Sequence, residues 1–264
     1  MPMSIDACVA QHIGDRKEQQ DRAGLAQHPR QKGLVLAVVA DGVGGHTGGA
    51  IAAGQVVLTA KNNLEQFSPD EQTPAQLLTD ALNEAHLMIR TCRALNEQDP
   101  NSTGVLLLLR GKGESMSAAW AHCGDSRLYH FRGNELLFQT SDPTYVQQMI
   151  QKGYMTPEQA AVHPRRNVLV TSLGGEDAPL IDVGGAEDLQ GGDNFLMCSD
   201  GLYAYFSEIE MASTIAAFPA REAAGKLIDL ARERANGHGD NCTLVILKLS
   251  APPPPPPRGF KRPC

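Results

Sequence analysis

The stretch that most constrains the fold is LVLAVVADGVGGHTGGAIAA, from Leu34 to Ala53. Its apolar half, with a period-2 bias toward Val and Leu, reads as a buried strand that stops at Asp41 and enters a glycine-rich turn. A carboxylate is thereby delivered at the end of a core strand. The glycines let backbone approach whatever that carboxylate holds, and the Ala-rich run after Gly49 opens a helix behind it. Taken alone, the pattern equally suits a tight strand-to-helix turn with an N-capping acid. What separates the two readings is how often such an Asp recurs downstream.

Ile5 to Ala26 reads as two short strands around a polar insert, HIGDRKEQQDR, that carries Arg16 and Asp21. Helices are expected over Gly49 to Phe67 and over Pro74 to Asn96, the second with an apolar stripe of Leu77, Leu78, Leu82, Ala85 and Ile89. From Ser102 the segments STGVLLLLRG, SMSAAWAHCG and SRLYHFRGNELLFQT are expected to form an antiparallel meander. After Asp142 comes a polar helical segment divided by Gly153 and Pro157, either a flap beside a site or an ordinary connection. NVLVTSLG and LIDVGG resume strand patterning, and NFLMCSDGL repeats the apolar strand ending in Asp-Gly. Glu208 to Ala216 and Arg221 to Asn236 read as helices, and GDNCTLVILKLS places a carboxylate at the start of a strand. Helices segregated from strands indicate an α+β sandwich in a single domain over residues 1–250. Residues 251–264 differ in kind, since six consecutive prolines enforce an extended polyproline II conformation that stands off the domain.

The net charge of −7, from 30 acids against 23 bases, argues against general affinity for nucleic acid, whose backbone demands clustered Lys and Arg. It fits a protein that concentrates carboxylates to bind cations. No run approaches the roughly 20 apolar residues of a membrane span. The N-terminus, MPMSIDACVAQHIGDR, lacks the basic start and continuous apolar segment of a signal peptide. A cytoplasmic protein with no membrane partner is expected. The six cysteines, Cys8, Cys92, Cys123, Cys198, Cys242 and Cys264, show no CxxC spacing, so buried free thiols are expected rather than a zinc site or redox pair.

Asp21, Asp41, Asp125, Asp200 and Asp240 each lie beside Gly, Asn or Ser at the edge of an apolar strand. Any one of them suits a turn or cap. Five in this pattern favour hard divalent cations such as Mg²⁺ and Mn²⁺, which need several oxygen ligands. Two such ions about 3.5–4 Å apart turn a bridging water into a nucleophile for phosphoester cleavage.

DGVGGH at 41–46, STG at 102–104, GDSRLY at 124–129, SDGL at 199–202 and GDNCT at 239–243, with an upstream RxxxxDR, occur in this order between about Ile5 and Leu249. Together they resemble the metal-dependent protein phosphatase family (PP2C, or PPM) in its short bacterial form. The resemblance implies an α-β-β-α sandwich of two mainly antiparallel sheets flanked by helices. It implies that Asp41 bridges two Mn²⁺ or Mg²⁺ ions, with the Gly42 carbonyl on one and Asp200 and Asp240 on the other. Asp21 would act mainly through ordered water, and Asp125 with Asp200 would form a third, looser site. Arg16 matches the family's phosphate-binding arginine, and a guanidinium fork suits two phosphate oxygens. Asn241 and Thr243 are expected to orient the Asp240 loop.

The sequence departs from the family pattern in three places. The loop reads RKEQQD, with Gln19 and Gln20 where Asn and Glu or Gln are usual, so altered bonding around the acids is expected. Val43 stands where larger animal enzymes carry a proton-donating His, and Pro143 replaces a His at the start of the flap. His46 is the substitute general acid, with a metal-acidified water as its rival and a structural role in the turn as the alternative.

The expected reaction is hydrolysis of phosphoserine and phosphothreonine in proteins by direct attack of a metal-bridged water. No cysteine begins a CxxxxxR motif, so thiolate phosphatase chemistry is not indicated. A narrow-scope phosphatase of one signalling or secretion-system component and a pseudophosphatase binding module are the alternatives. The expected partners are phosphorylated proteins, substrates of a cognate Ser/Thr kinase, acted on by a monomer. The proline tail reads as a spacer or as a ligand for a docking partner.

Overall fold

Apolar strands of both sheets alternate with polar turns, and the computed structural model shows how they pair; it describes residues 3–44, 48–95, 99–112, 115–144, 146, 149–150, 153–164 and 171–251. One five-stranded sheet runs in the order β1 (Ser4–His12), β12 (Cys242–Ser250), β11 (Asp193–Cys198), β8 (Arg127–Arg132) and β9 (Glu135–Gln139). The other runs β10 (Asp182–Ala186), β7 (Ser115–Cys123), β6 (Gly104–Lys112), β3 (Leu34–Ala40) and β2 (Arg22–Gln27). A two-stranded ribbon joins β4 (Gly42–Val43) to β5 (Asn101–Ser102). Every pairing between these strands is antiparallel.

Three apolar layers hold the stack. Ala37, Val39, Leu107 and Trp120 from one sheet meet Phe195, Met197, Val245 and Leu247 from the other in the central layer. Outside the second sheet lie α1 (Gly48–Gln66) and α2 (Pro74–Leu95), burying Val56, Leu64, Leu78 and Leu82 against Leu36 and Leu108. Outside the first lie α5 (Glu208–Ala217) and α6 (Ala220–Ala235), burying Ile215, Ala224 and Leu227 against Leu244 and Ile246. The α-β-β-α sandwich expected from the sequence is thus the observed fold. Because β3 and β11 are buried on both faces, they read as continuous apolar runs instead of alternating ones.

Helix boundaries follow local chemistry. Thr73 and Gln76 exchange backbone-to-side-chain hydrogen bonds of 2.9 and 3.2 Å ahead of Pro74, and Ser207 with Glu210 forms the same capping box before α5. The start of α6 is capped from a distant strand, by Asp6 Oδ2 accepting the Ala220 amide at 2.8 Å.

The expected meander from Ser102 to Thr140 does not form. β6 and β7 make a hairpin in the second sheet, while β8 and β9 make one in the first. The chain changes sheets at Gly124, whose φ of +94° suits glycine. That crossing carries Asp125 to the sheet ends. The segment after Asp142 is helical at Val146, Met149 and Ile150 and in α3 (Pro157–Ala161), consistent with two short pieces. The first half of the expected strand NVLVTSLG, residues 167–170, lies outside the described residues; in the second half Leu173 makes an isolated bridge to Ser102. The tail from Pro252, with Cys264, also lies outside them, and five described cysteines are free thiols. No helix among the described residues is long and apolar enough to cross a membrane.

Candidate active site

Strand register gathers the predicted acids at one end of the sandwich. In the second sheet Arg22 pairs with Ala40, Val39 with Val105, and Gly104 with Cys123, so Asp21, Asp41 and Asp125 emerge at neighbouring strand ends. In the first sheet Cys198 pairs with both Leu244 and Arg127, which brings the ends carrying Asp200, Asp240 and Asp125 together. Asp200 itself opens the short helix α4 (Asp200–Tyr203).

Asp41 is clamped through its backbone by the STG segment. Its amide donates to Thr103 Oγ1 at 2.9 Å, and its carbonyl accepts the Thr103 amide at 2.8 Å and the Ser102 hydroxyl at 3.0 Å. The Thr103 hydroxyl is also 2.7 Å from that of Ser126, tying the Asp41 strand to the Asp125 loop. Next to Asp41, a Cβ on Gly42 would fall 2.0 Å from the Gly49 carbonyl oxygen, so only glycine fits where the start of α1 meets the turn.

Asp21 is fully buried, and its Oδ2 accepts the Ser199 hydroxyl at 2.7 Å. Gln19 Oε1 accepts the Asp21 amide at 3.1 Å, and Gln20 Nε2 donates to the Gly44 carbonyl at 3.3 Å. The two glutamines that depart from the family loop therefore brace the acid's backbone and the glycine-rich turn. Asn241 does more than orient its own loop. Its Oδ1 accepts the Gln20 amide at 2.7 Å and its Nδ2 donates to the Ile13 and Glu18 carbonyls at 2.8 and 3.0 Å. Asp15 and Gly239 exchange two further bonds of 2.9 and 2.7 Å. This frame presents Arg16, whose guanidinium meets Asp240 Oδ2 at 2.6 Å while its side chain stays 60% exposed.

The five carboxylates form a continuous electrostatic chain. Burial, then Asp21, Asp200 and Asp125, push the Asp41 carboxyl far above the ordinary carboxylate range. Burial raises Asp21 to about 6, opposed by the Ser199 hydroxyl, and raises Asp125 to about 6 with Asp200 adding to it. Asp200 is raised by burial and by Asp240. Among the described residues no three His, Cys, Asp or Glu side chains close into a ready-made metal cage. Asp240 is turned to Arg16.

Two features of these side chains fit divalent cations. Asp21 Oδ1 and Asp200 Oδ1 are buried without a hydrogen-bond partner, an arrangement that costs free energy unless something positive meets them. The donors are all hard oxygens, the set that suits Mg²⁺ or Mn²⁺, and a cation would replace the protons that the raised pKa values retain.

Sequence reasoning passed over four positions that the structure makes central. The Ser199 hydroxyl donates to the Asp21 carboxylate, the Thr103 hydroxyl accepts the Asp41 amide, and Ser126 bonds that Thr103 hydroxyl, although each lies inside a motif marked by its Asp or Gly. Arg127 grips Asp142 with two bonds of 2.9 and 2.7 Å and stacks over the Tyr203 ring at 3.7 Å, linking the Asp125 loop, the segment after β9 and α4. His46, the expected proton donor, lies outside the described residues.

A family model described as protein phosphatase 2C matches residues 10–224. The chain is 33% identical over 218 residues to the serine/threonine protein phosphatase PstP of Mycobacterium tuberculosis, covering 81% of this chain and 40% of that protein. It thus spans less than half the length of that curated relative. A serine/threonine phosphatase structure from S. agalactiae superposes with a TM-score of 0.78 at 26% identity, over 93% of this chain and 99% of the other. The catalytic domain of PstP in complex with two manganese ions superposes with a TM-score of 0.72 at 26% identity, over 94% and 100% of the two chains.

Proposed function

The chain belongs to the protein phosphatase 2C family, and we propose that it hydrolyses phosphoserine and phosphothreonine in proteins with divalent cations held by Asp21, Asp41, Gly42, Asp125, Asp200 and Asp240. The observation that carries this reading is the strand register that gathers the ends bearing Asp21, Asp41, Asp125, Asp200 and Asp240, with one buried oxygen each of Asp21 and Asp200 left without a hydrogen-bond partner. Mn²⁺ or Mg²⁺ is assigned, two ions in the core and a third at Asp125 and Asp200, in keeping with the two manganese ions of the PstP catalytic domain. Bound there, such cations supply positive charge against the phosphoryl oxygens and acidify water.

The chain's own residues do the rest. Arg16 is exposed and reaches Asp240, so a small turn of its side chain lets the guanidinium fork take two phosphoryl oxygens. Asn241 and the Asp15–Gly239 bonds hold the backbone of that arginine's loop, so only the side chain has to turn when substrate arrives. Ser102 and Thr103 lock the backbone of Asp41, which keeps its carboxylate and the Gly42 carbonyl in a constant relation. The departing serine or threonine oxygen needs a proton, and His46, five residues after Asp41, is assigned that role.

We assign residues 1–250 to one catalytic domain and 251–264 to a tail, and place the protein in the cytoplasm as a monomer acting on kinase-phosphorylated proteins. Purified protein assayed on p-nitrophenyl phosphate and on a phosphothreonine peptide is expected to be active with Mn²⁺ and inactive in excess chelator. Activity undiminished by chelator would overturn the reading. Calorimetric titration with Mn²⁺ separates an enzyme from a pseudophosphatase binding module, because loss of cation binding would leave only the latter.

A further inference from the structure

We propose that the cavity beside Val43 is a specificity pocket for a lysine or arginine side chain flanking the phosphorylated residue of a protein substrate. The inference rests on the phosphatase reading and names the kind of substrate that reading leaves open.

The cavity, about 310 Å³, lies between Val43, Asn101, Thr171, Ser172, Gly175, Glu176 and Asp177. Its walls share the backbone that holds Asp41. Val43 pairs with Asn101 across β4 and β5, Ser102 exchanges amide-to-carbonyl bonds of 3.0 and 2.8 Å with Leu173, and the same Ser102 hydroxyl bonds the Asp41 carbonyl. A side chain seated here is therefore held in a constant relation to Asp41, two residues before Val43.

The loop that brings the acidic wall is tied to α2. Gly174, at φ +96°, packs so tightly that a Cβ would lie 2.4 Å from Ile89, and its amide donates to His86 Nδ1 at 3.1 Å. The loop is thus anchored on α2 through Gly174.

Its chemistry selects a cation on an aliphatic stem. Val43 is 55% exposed, an apolar wall left open against the cavity. Thr171 Oγ1 accepts the Leu180 amide at 3.1 Å, and the Ser172 hydroxyl donates to Asn101 Oδ1 at 3.3 Å, so their polar atoms are spent on the wall itself. What remains is negative. Asp177 is exposed with no ion pair among the described residues. Glu176 is 88% exposed and 4.0 Å from Arg93, whose guanidinium is engaged by Asp99 at 2.6 Å and by the Gly174 carbonyl at 3.5 Å. An apolar wall with two open carboxylates matches the methylene stem and charged head of Lys or Arg, and repels an acidic neighbour.

The probes are fluorescein-labelled peptides carrying a non-hydrolysable phosphonate in place of phosphoserine, flanked by arginines, alanines or glutamates, with binding read by anisotropy in Mn²⁺. Wild type is expected to bind the arginine peptide about tenfold more tightly than the alanine peptide, a preference that falls to about twofold in the Glu176→Gln, Asp177→Asn double variant. Equal binding of the two peptides by wild type, or an undiminished preference in the double variant, overturns the pocket. Turnover of p-nitrophenyl phosphate, which has no flanking residues, is expected to be the same in both proteins. Its absence from wild type would sink the phosphatase reading instead, while the anisotropy still reports on the pocket.

Discussion

The Ser199 hydroxyl donates to Asp21 Oδ2 at 2.7 Å while accepting the Thr243 amide at 3.1 Å, so one small side chain couples a buried acid to the start of β12. Both residues are fully buried, and Asp21 leans on this bond because burial drives its pKa upward. Ser199→Ala removes it and is expected to cost about 1–3 kcal/mol of stability. The Asp21 pKa should climb further and weaken Mn²⁺ binding in a calorimetric titration at neutral pH. A variant that melts and binds Mn²⁺ like wild type would refute this role for the hydroxyl.

The carboxyl pKa values predict a pH dependence of definite sign. Asp21 and Asp125 stand at about 6 against an ordinary 3.8, with Asp41 and Asp200 also raised. The fold therefore holds more protons than the unfolded chain at these sites. The stability they contribute is complete below the ordinary carboxylate range and is lost as pH rises through about 6. A cation removes the penalty by replacing those protons. Melting in chelator and in Mn²⁺ should accordingly diverge between pH 5 and pH 7.5, with the larger stabilisation by Mn²⁺ at the higher pH. A gap that stays constant or narrows would contradict it.

Two glycines separate fit from flexibility. Gly42→Ala drives a methyl into the Gly49 carbonyl 2.0 Å away, which requires backbone to move beside Asp41, so activity should be lost and the melting temperature lowered. Gly54, inside α1, has nothing within 4 Å of its virtual Cβ. Gly54→Ala should raise stability by about 0.5–1 kcal/mol through helix propensity, with turnover unchanged. Denaturant midpoints and p-nitrophenyl phosphate assays on the pair check both halves.

The parts of this site that were legible in the sequence are those announced by local signals. An apolar run ending in Asp and Gly marks β3 and β11 with their acids, and periodicity marks α1, α2, α5 and α6 to within a residue or so. Sheet membership is not local: β7 and β8 have the same character whether they pair with each other or cross between sheets, and the Gly124 turn that decides it looks like any Gly turn. Hydroxyl partners are equally silent, because a Ser that holds a carboxylate 178 positions away has the same neighbours in sequence as one that faces water.

If His46 supplies the proton to the leaving oxygen, its removal should matter only where that oxygen is a poor leaving group. His46→Ala is expected to reduce kcat on a phosphothreonine peptide by about 100-fold or more, the range for loss of a general acid. On p-nitrophenyl phosphate, whose phenolate departs unprotonated, kcat should change little. Equal losses on both substrates would reassign His46 to structure.

Arg127 and Asp142 define the last test. The guanidinium places Nε and Nη2 on the two carboxylate oxygens at 2.9 and 2.7 Å, with the side chains 24% and 20% exposed, and its face rests on the Tyr203 ring. Lysine offers one ammonium and no planar face, so it recovers neither the paired geometry nor the stacking. Arg127→Lys is expected to lower unfolding free energy by about 2 kcal/mol, and Arg127→Ala by more, because it leaves Asp142 half-buried without a cation. Since Arg127 is two residues from Asp125 and rests on a residue of α4, which begins at Asp200, kcat should fall with stability in both variants. A lysine variant with wild-type urea midpoint and turnover would show that the pair is replaceable by simple charge.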